Sequence, residues 1–143
     1  MSISSGELDT IKLIFDVAGK MIPVATGYTV LLIGAVTQLW LKNRESPTLY
    51  PPPPLVISAI VITAAAGSVG FWATALGLGI AASTGEDQWI IFLGTRSTSQ
   101  LVSLARIYMS LGYWTFVASL WAGGGAALYF LFRWRSKRSN DTG

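Results

Sequence analysis

The chain has 143 residues, of which 52% are apolar and only 12% are charged, about half the charged fraction usual in a soluble domain. Histidine and cysteine are both absent, which removes the usual ligands of zinc, haem, copper and iron–sulfur centres together with every disulfide. A formal charge of +3 is too small and too dispersed to point to nucleic acid, and no charge at all falls between Glu45 and Glu86 or between Arg106 and Arg133. Stretches of that length without a charge belong in lipid.

In chain order, the first unit covers residues 7–21. Ser4 and Glu7 have the spacing of a capping box at its start. Leu8, Ile11, Phe15, Ala18 and Ile22 recur at intervals of three and four, which places them on one helical face. Asp9, Lys12, Asp16 and Lys20 recur at the same intervals with alternating sign, so neighbours attract along a second face. This pattern predicts an amphipathic helix lying in the membrane interface. The segment lacks the basic stretch that opens a secretory signal and is read as retained.

Gly19 and Pro23 then punctuate the chain, since proline cannot donate into a preceding helical turn but suits the first turn of a new one. Residues 24–41 carry no charge, and 18 residues at about 1.5 Å each make roughly 27 Å, near the apolar thickness of a bilayer. They form the first expected span, with Trp40 at interfacial depth. The polar turn Lys42–Pro47 leads to four prolines, Pro51 to Pro54, expected as a stiff extended connector that starts the next helix.

Residues 55–82 are the second expected span. Ser83 to Gln88 is rich in turn formers, and the apolar patch Trp89–Leu93 is too short to cross again. The third expected span covers 101–132 with a charge-free core at 107–132, and a basic tail, 133–143, follows it. Arg133, Arg135, Lys137 and Arg138 in that tail should meet anionic headgroups and fix topology, at about 1 kcal/mol for each base near the surface. Tyr108, Tyr113, Trp114, Tyr129 and Trp134 fit interfacial aromatic belts, whereas Trp72 and Trp121 lie nearer mid-span and should each pack against a neighbour.

The reading is therefore an all-α integral membrane protein, three transmembrane helices preceded by an N-terminal amphipathic interfacial helix. Lysines and arginines near the span ends number six on the side of Lys42 and the tail and four on the other. Positive charge favours the inside, so the N-terminus is expected outside and the C-terminus in the cytoplasm of a plasma or inner membrane.

Candidate functional residues lie in two stripes. In the second span Ala59, Thr63, Ala66, Gly70, Ala73 and Gly77 recur at 4, 3, 4, 3 and 4. In the third, Gly112, Thr115, Ser119, Ala122 and Ala126 recur at 3, 4, 3 and 4, with Gly123, Gly124 and Gly125 crowded beside them. Apolar burial does not drive helices together in lipid, so smooth faces that allow close approach are the packing seams. The simplest expectation is that the two stripes face each other within one protomer; the alternatives are contact between protomers and a narrow lining in which Thr63, Thr115 and Ser119 offer hydroxyls to water.

No ionisable residue lies near the middle of a span, a histidine-dependent protease is impossible, and no phosphate loop or metal cluster is present in the sequence. No catalytic, cofactor-binding or metal-binding residue is expected. The functional expectation is a small non-enzymatic subunit or scaffold that assembles with itself or with a larger membrane protein, in the bilayer as its solvent. A channel-forming or permeabilising protein is the alternative, because an outside N-terminus, three spans and a basic inner tail make a hydropathy plan similar to that of three-span phage holins. A sensor using Glu86, Asp87 and Arg96 in the outer segment 83–100 is a third.

Overall fold

The computed structural model describes residues 3–84, 88–90 and 94–141. Three helices account for most of them: α1 (Ser5–Glu45), α2 (Leu55–Ser83) and α3 (Thr98–Asp141). All three are long and apolar enough to cross a membrane. They run up, down and up, with α2 packed against both neighbours and α1 touching α3 over a shorter stretch.

The start of α1 forms as its sequence dictates. The Ser4 hydroxyl accepts from the Glu7 N–H and the Glu7 carboxylate accepts from the Ser4 N–H, satisfying two of the donors that a helix start leaves without partners. The expected division into an interfacial helix over 7–21 and a span over 24–41 does not occur, because α1 runs unbroken through Pro23. A proline inside a helix costs about 3 kcal/mol, chiefly the missing N–H and a steric clash with the preceding turn. Packing on both sides of it offsets that cost: Ala18 and Ala25, one turn before and just after Pro23, are both fully buried against the bundle beside Trp72 and Phe116. The first half of α1 also does not lie apart from the bundle, since Ile11 and Ile14 are buried among Ala75, Leu78, Ala82, Leu101, Val102 and Ala105. The chain thus has three long helices instead of four shorter ones. Of the charge ladder, Asp16 and Lys20 pair at 2.7 Å on the exposed side.

At the other end of α1 the chain turns through Ser46–Tyr50, and Asn43 Nδ2 donates to the Tyr50 carbonyl at 2.6 Å, closing the turn. Pro51 is fully buried and Pro54 occupies the N-cap of α2. Between α2 and α3 the described residues include a two-stranded antiparallel pair, β1 (Gln88–Ile90) and β2 (Gly94–Arg96), with Trp89 opposite Thr95. The sequence reading had no strand here. Gly94, which opens β2, has φ of 68°, a backbone region glycine enters without steric cost. Glu86, Asp87 and most of the expected apolar patch, 91–93, lie outside the described residues.

The third helix begins at Thr98 and continues through the basic segment to Asp141, so residues 133–141 are helical and not a separate tail. Arginine and lysine are good helix formers, and cations near a helix C-terminus oppose the negative end of its dipole, so nothing in Arg133–Arg138 stops the helix. At 44 residues α3 is about 66 Å long, roughly twice the hydrocarbon thickness of a bilayer.

Candidate functional site

Helix α2 carries two faces with the same spacing. The inward face is Ser58, Val61, Ala65, Ser68, Trp72, Ala75, Gly79 and Ala82, all buried. The predicted stripe, Ala59, Thr63, Ala66, Gly70, Ala73 and Gly77, is displaced from it by two residues, or about 200° around a helix of 3.6 residues per turn, and every one of its members is exposed. The two expected stripes therefore do not meet inside the protomer. At Gly70 and Gly77, as at the neighbouring Gly67, an added Cβ would find no atom within 4 Å. The small size of these residues is not required by the protomer's own packing.

The stripe of α3 divides. Gly112 and Ser119 are buried, Thr115 and Ala126 are half-buried, and Ala122 is exposed. What faces Gly112 is a large residue, Trp72, whose indole would lie 2.7 to 3.0 Å from a Cβ placed there. Trp72 is 1% exposed and its ring leans on Phe116 at 5.5 Å between centroids, with Tyr28 set edge-on to Phe116 at 5.6 Å. Three aromatic rings, one from each helix, thus form the centre of the bundle, and Gly112 is the notch that admits the largest. Trp121, expected to pack in the same manner, is 80% exposed on the outer side of α3. It sits beside a shallow notch over Gly124 and Gly125.

One turn further along, two hydrogen bonds cross between helices. Ser119 Oγ donates to the Val61 carbonyl at 2.9 Å, and Tyr28 Oη donates to the Ser119 carbonyl at 3.2 Å. Ser119 thereby joins all three helices. Replacing it with alanine should weaken the fold by about 1 kcal/mol, because interhelical hydrogen bonds in lipid contribute modestly, and a reversible unfolding titration in mixed micelles would measure it. Two other hydroxyls in the spans are turned to their own helices: Thr115 Oγ1 donates to the Leu111 carbonyl and Thr74 Oγ1 to that of Gly70.

Past Tyr28 and Gly123 the helices diverge, leaving an apolar cavity of about 290 Å³ among all three. Leu32, Val36 and Leu39 line it from α1, Val61 and Ile62 from α2, and Phe130 from α3, with Pro53 and Pro54 across its end. Just beyond that end stands a ladder of rings and cations. The Lys42 ammonium lies 5.6 Å from the centre of the Tyr50 ring, Tyr50 stacks on Trp134 at 6.2 Å, and the Arg138 guanidinium lies 5.5 Å from Trp134. Lys137 Nζ donates to the Pro47 carbonyl at 2.7 Å, tying the end of α3 to the α1–α2 connector. Arg133 folds back onto the Tyr129 hydroxyl, and Arg135 lies with Arg138 beside Leu131 and Trp134. Sequence reasoning placed these bases at one surface but gave no sign of the cavity, which depends on how far the helices diverge.

Arg106, at the opposite end, donates through Nη2 to Thr10 Oγ1 at 3.3 Å, linking α3 to α1.

No protein-family model matches the chain, no curated protein matches its sequence, and no solved structure matches its fold.

Proposed function

We propose that this protein is a non-enzymatic integral membrane protein that acts by assembly, using the outward face of α2 to join a second copy of itself or a larger membrane partner. In this arrangement the N-terminus is outside and the basic end of α3 is in the cytoplasm. One observation carries the reading. Ala59, Thr63, Ala66, Gly70, Ala73 and Gly77 form a smooth exposed stripe about 27 Å long, and at Gly70 and Gly77 the packing of the protomer leaves room for a side chain that the sequence does not supply. A helix face turned only to lipid gains nothing from being smooth, whereas one turned to another helix gains close van der Waals contact and short interhelical distances.

The test exploits the absence of cysteine. A single Gly70→Cys variant in native membranes should form a disulfide-linked species on mild oxidation if two copies meet along this stripe, and Trp121→Cys on α3 should not. The bulky variant Gly70→Leu should leave helix content and protomer unfolding unchanged, since nothing lies within 4 Å of the added carbon and leucine is the better helix former. It should nonetheless lower assembly roughly tenfold or more, read as the fraction of higher-mass species in native mass spectrometry. A wild-type chain that runs as a lone protomer with no co-purifying partner would reject the proposal.

A further inference from the structure

We propose that the cavity among α1, α2 and α3 is a binding slot for one acyl chain of an anionic phospholipid, with the basic surface around the Lys42–Tyr50–Trp134–Arg138 ladder attracting its headgroup. The slot extends from Gly123, where Tyr28 closes it, to Leu131. Eight residues of helix make it about 12 Å deep, close to the roughly 15 Å of hydrocarbon in one leaflet. A helix, at 10 to 12 Å across, is too thick for a space of about 290 Å³ already bounded by three helices. Among the apolar rods that a bilayer offers, an acyl chain fits this depth and width.

An apolar slot alone would not select a lipid, because a chain leaving bulk lipid for an apolar groove exchanges like for like. Selection comes from the mouth. Leu39 is one turn before Lys42, Pro53 is three residues after Tyr50, and Leu131 is three residues before Trp134, so this end of the slot lies beside the ladder. This end of the chain carries six bases, Lys42, Arg44, Arg133, Arg135, Lys137 and Arg138, against the two carboxylates Glu45 and Asp141. The rings of Tyr50 and Trp134 hold the cations of Lys42 and Arg138 at the two ends of one row, while the Lys137 bond to Pro47 fixes that row over the connector. A headgroup at this level meets a surface with an excess of positive charge, which favours an anionic lipid, whereas a zwitterionic headgroup brings its own ammonium into the same field.

The experiment uses the full chain in mild detergent, titrated separately with dioleoyl phosphatidylglycerol and dioleoyl phosphatidylcholine and followed by native mass spectrometry. One phosphatidylglycerol should be retained per protomer, roughly thirtyfold more tightly than phosphatidylcholine, as two bases close to the headgroup would give. Single-chain lysophosphatidylglycerol should compete about as well as the two-chain lipid, because the slot holds one chain. Ala126→Phe, and independently Ala35→Phe from the opposite wall, should each abolish the stoichiometric adduct, and Lys42→Gln with Arg138→Gln should remove the headgroup preference. Equal retention of the two lipids would overturn the proposal. So would retention unaffected by both slot-filling variants in chains that keep their helix content, since that result means the bases hold lipid at the surface. Failure of the single-chain lipid to compete would overturn it without recourse to any variant.

Discussion

Replacing Gly112 with valine should unfold or expand the α2–α3 pair at a cost of about 3 kcal/mol, one of the two largest single-residue effects expected in this molecule. The first atom of any side chain there would lie 2.7 Å from the Trp72 indole nitrogen and 2.8 to 3.0 Å from two ring carbons, distances that real side chains do not show. Overpacking in a dense interior ordinarily costs about 1–3 kcal/mol, and relief depends on a neighbour that can move. Trp72 has little room to do so, being buried and wedged against Phe116, which is itself flanked by Tyr28. The measurement is the unfolding free energy in mixed micelles, with Gly125→Val as the control on an exposed face of the same helix, where an added Cβ meets no atom within 4 Å. That control should move stability by no more than about 0.5 kcal/mol. Equal effects at the two glycines would mean that Trp72 is not fixed where it lies.

Trp72→Ala should destabilise by a similar amount, about 3 kcal/mol, for the opposite reason. It removes the largest fully buried side chain and leaves a void that Phe116 and Ala18 border. The lower part of the range for large-to-small aromatic changes applies, because the unfolded helices remain in lipid and the transfer contribution is small. The two changes touch the same space, so they should not add. A Trp72→Ala/Gly112→Val double variant should recover at least about 1 kcal/mol relative to the sum of the single changes, as residues in contact do in a double-mutant cycle. Strict additivity would place the two effects at separate sites and remove the aromatic centre as the organising contact.

This knob-and-notch contact also explains what the sequence could and could not reveal. Three helices long enough to span, the capping box at Ser4 and Glu7, and a proline entry to α2 follow from local chemistry and were legible. The choice of faces on α2 was not, because the inward and outward sets share a single periodicity and differ only by a two-residue offset. Small residues suggested close approach, yet close approach here is asymmetric: α2 contributes the bulk at Trp72 and α3 the space at Gly112. Of the two mid-span tryptophans, Trp72 is buried while Trp121 faces outward, a distinction that depends on helix rotation and not on depth. The continuity of α1 through Pro23 was equally hidden, since the proline's local preference is overridden by distant partners of Ala18 and Ala25. The strand pair before α3 left little trace in so short a segment.

The burial along α1 is lopsided, with Ile11, Ile14, Ala18 and Ala25 its only buried residues among those described. From Thr26 to Glu45 the helix has none, and the Tyr28 hydroxyl bonds across to the Ser119 carbonyl of α3 near the start of that stretch. Mechanically this is a beam clamped over its first half and pinned at its far end, where Asn43 and Lys42 hold Tyr50 and Tyr50 stacks on Trp134, with Pro23, where a backbone hydrogen bond is already missing, close to the clamp. Between those two supports α1 has no buried residue, so the middle of the opening between α1 and its neighbours is the least braced dimension of the molecule.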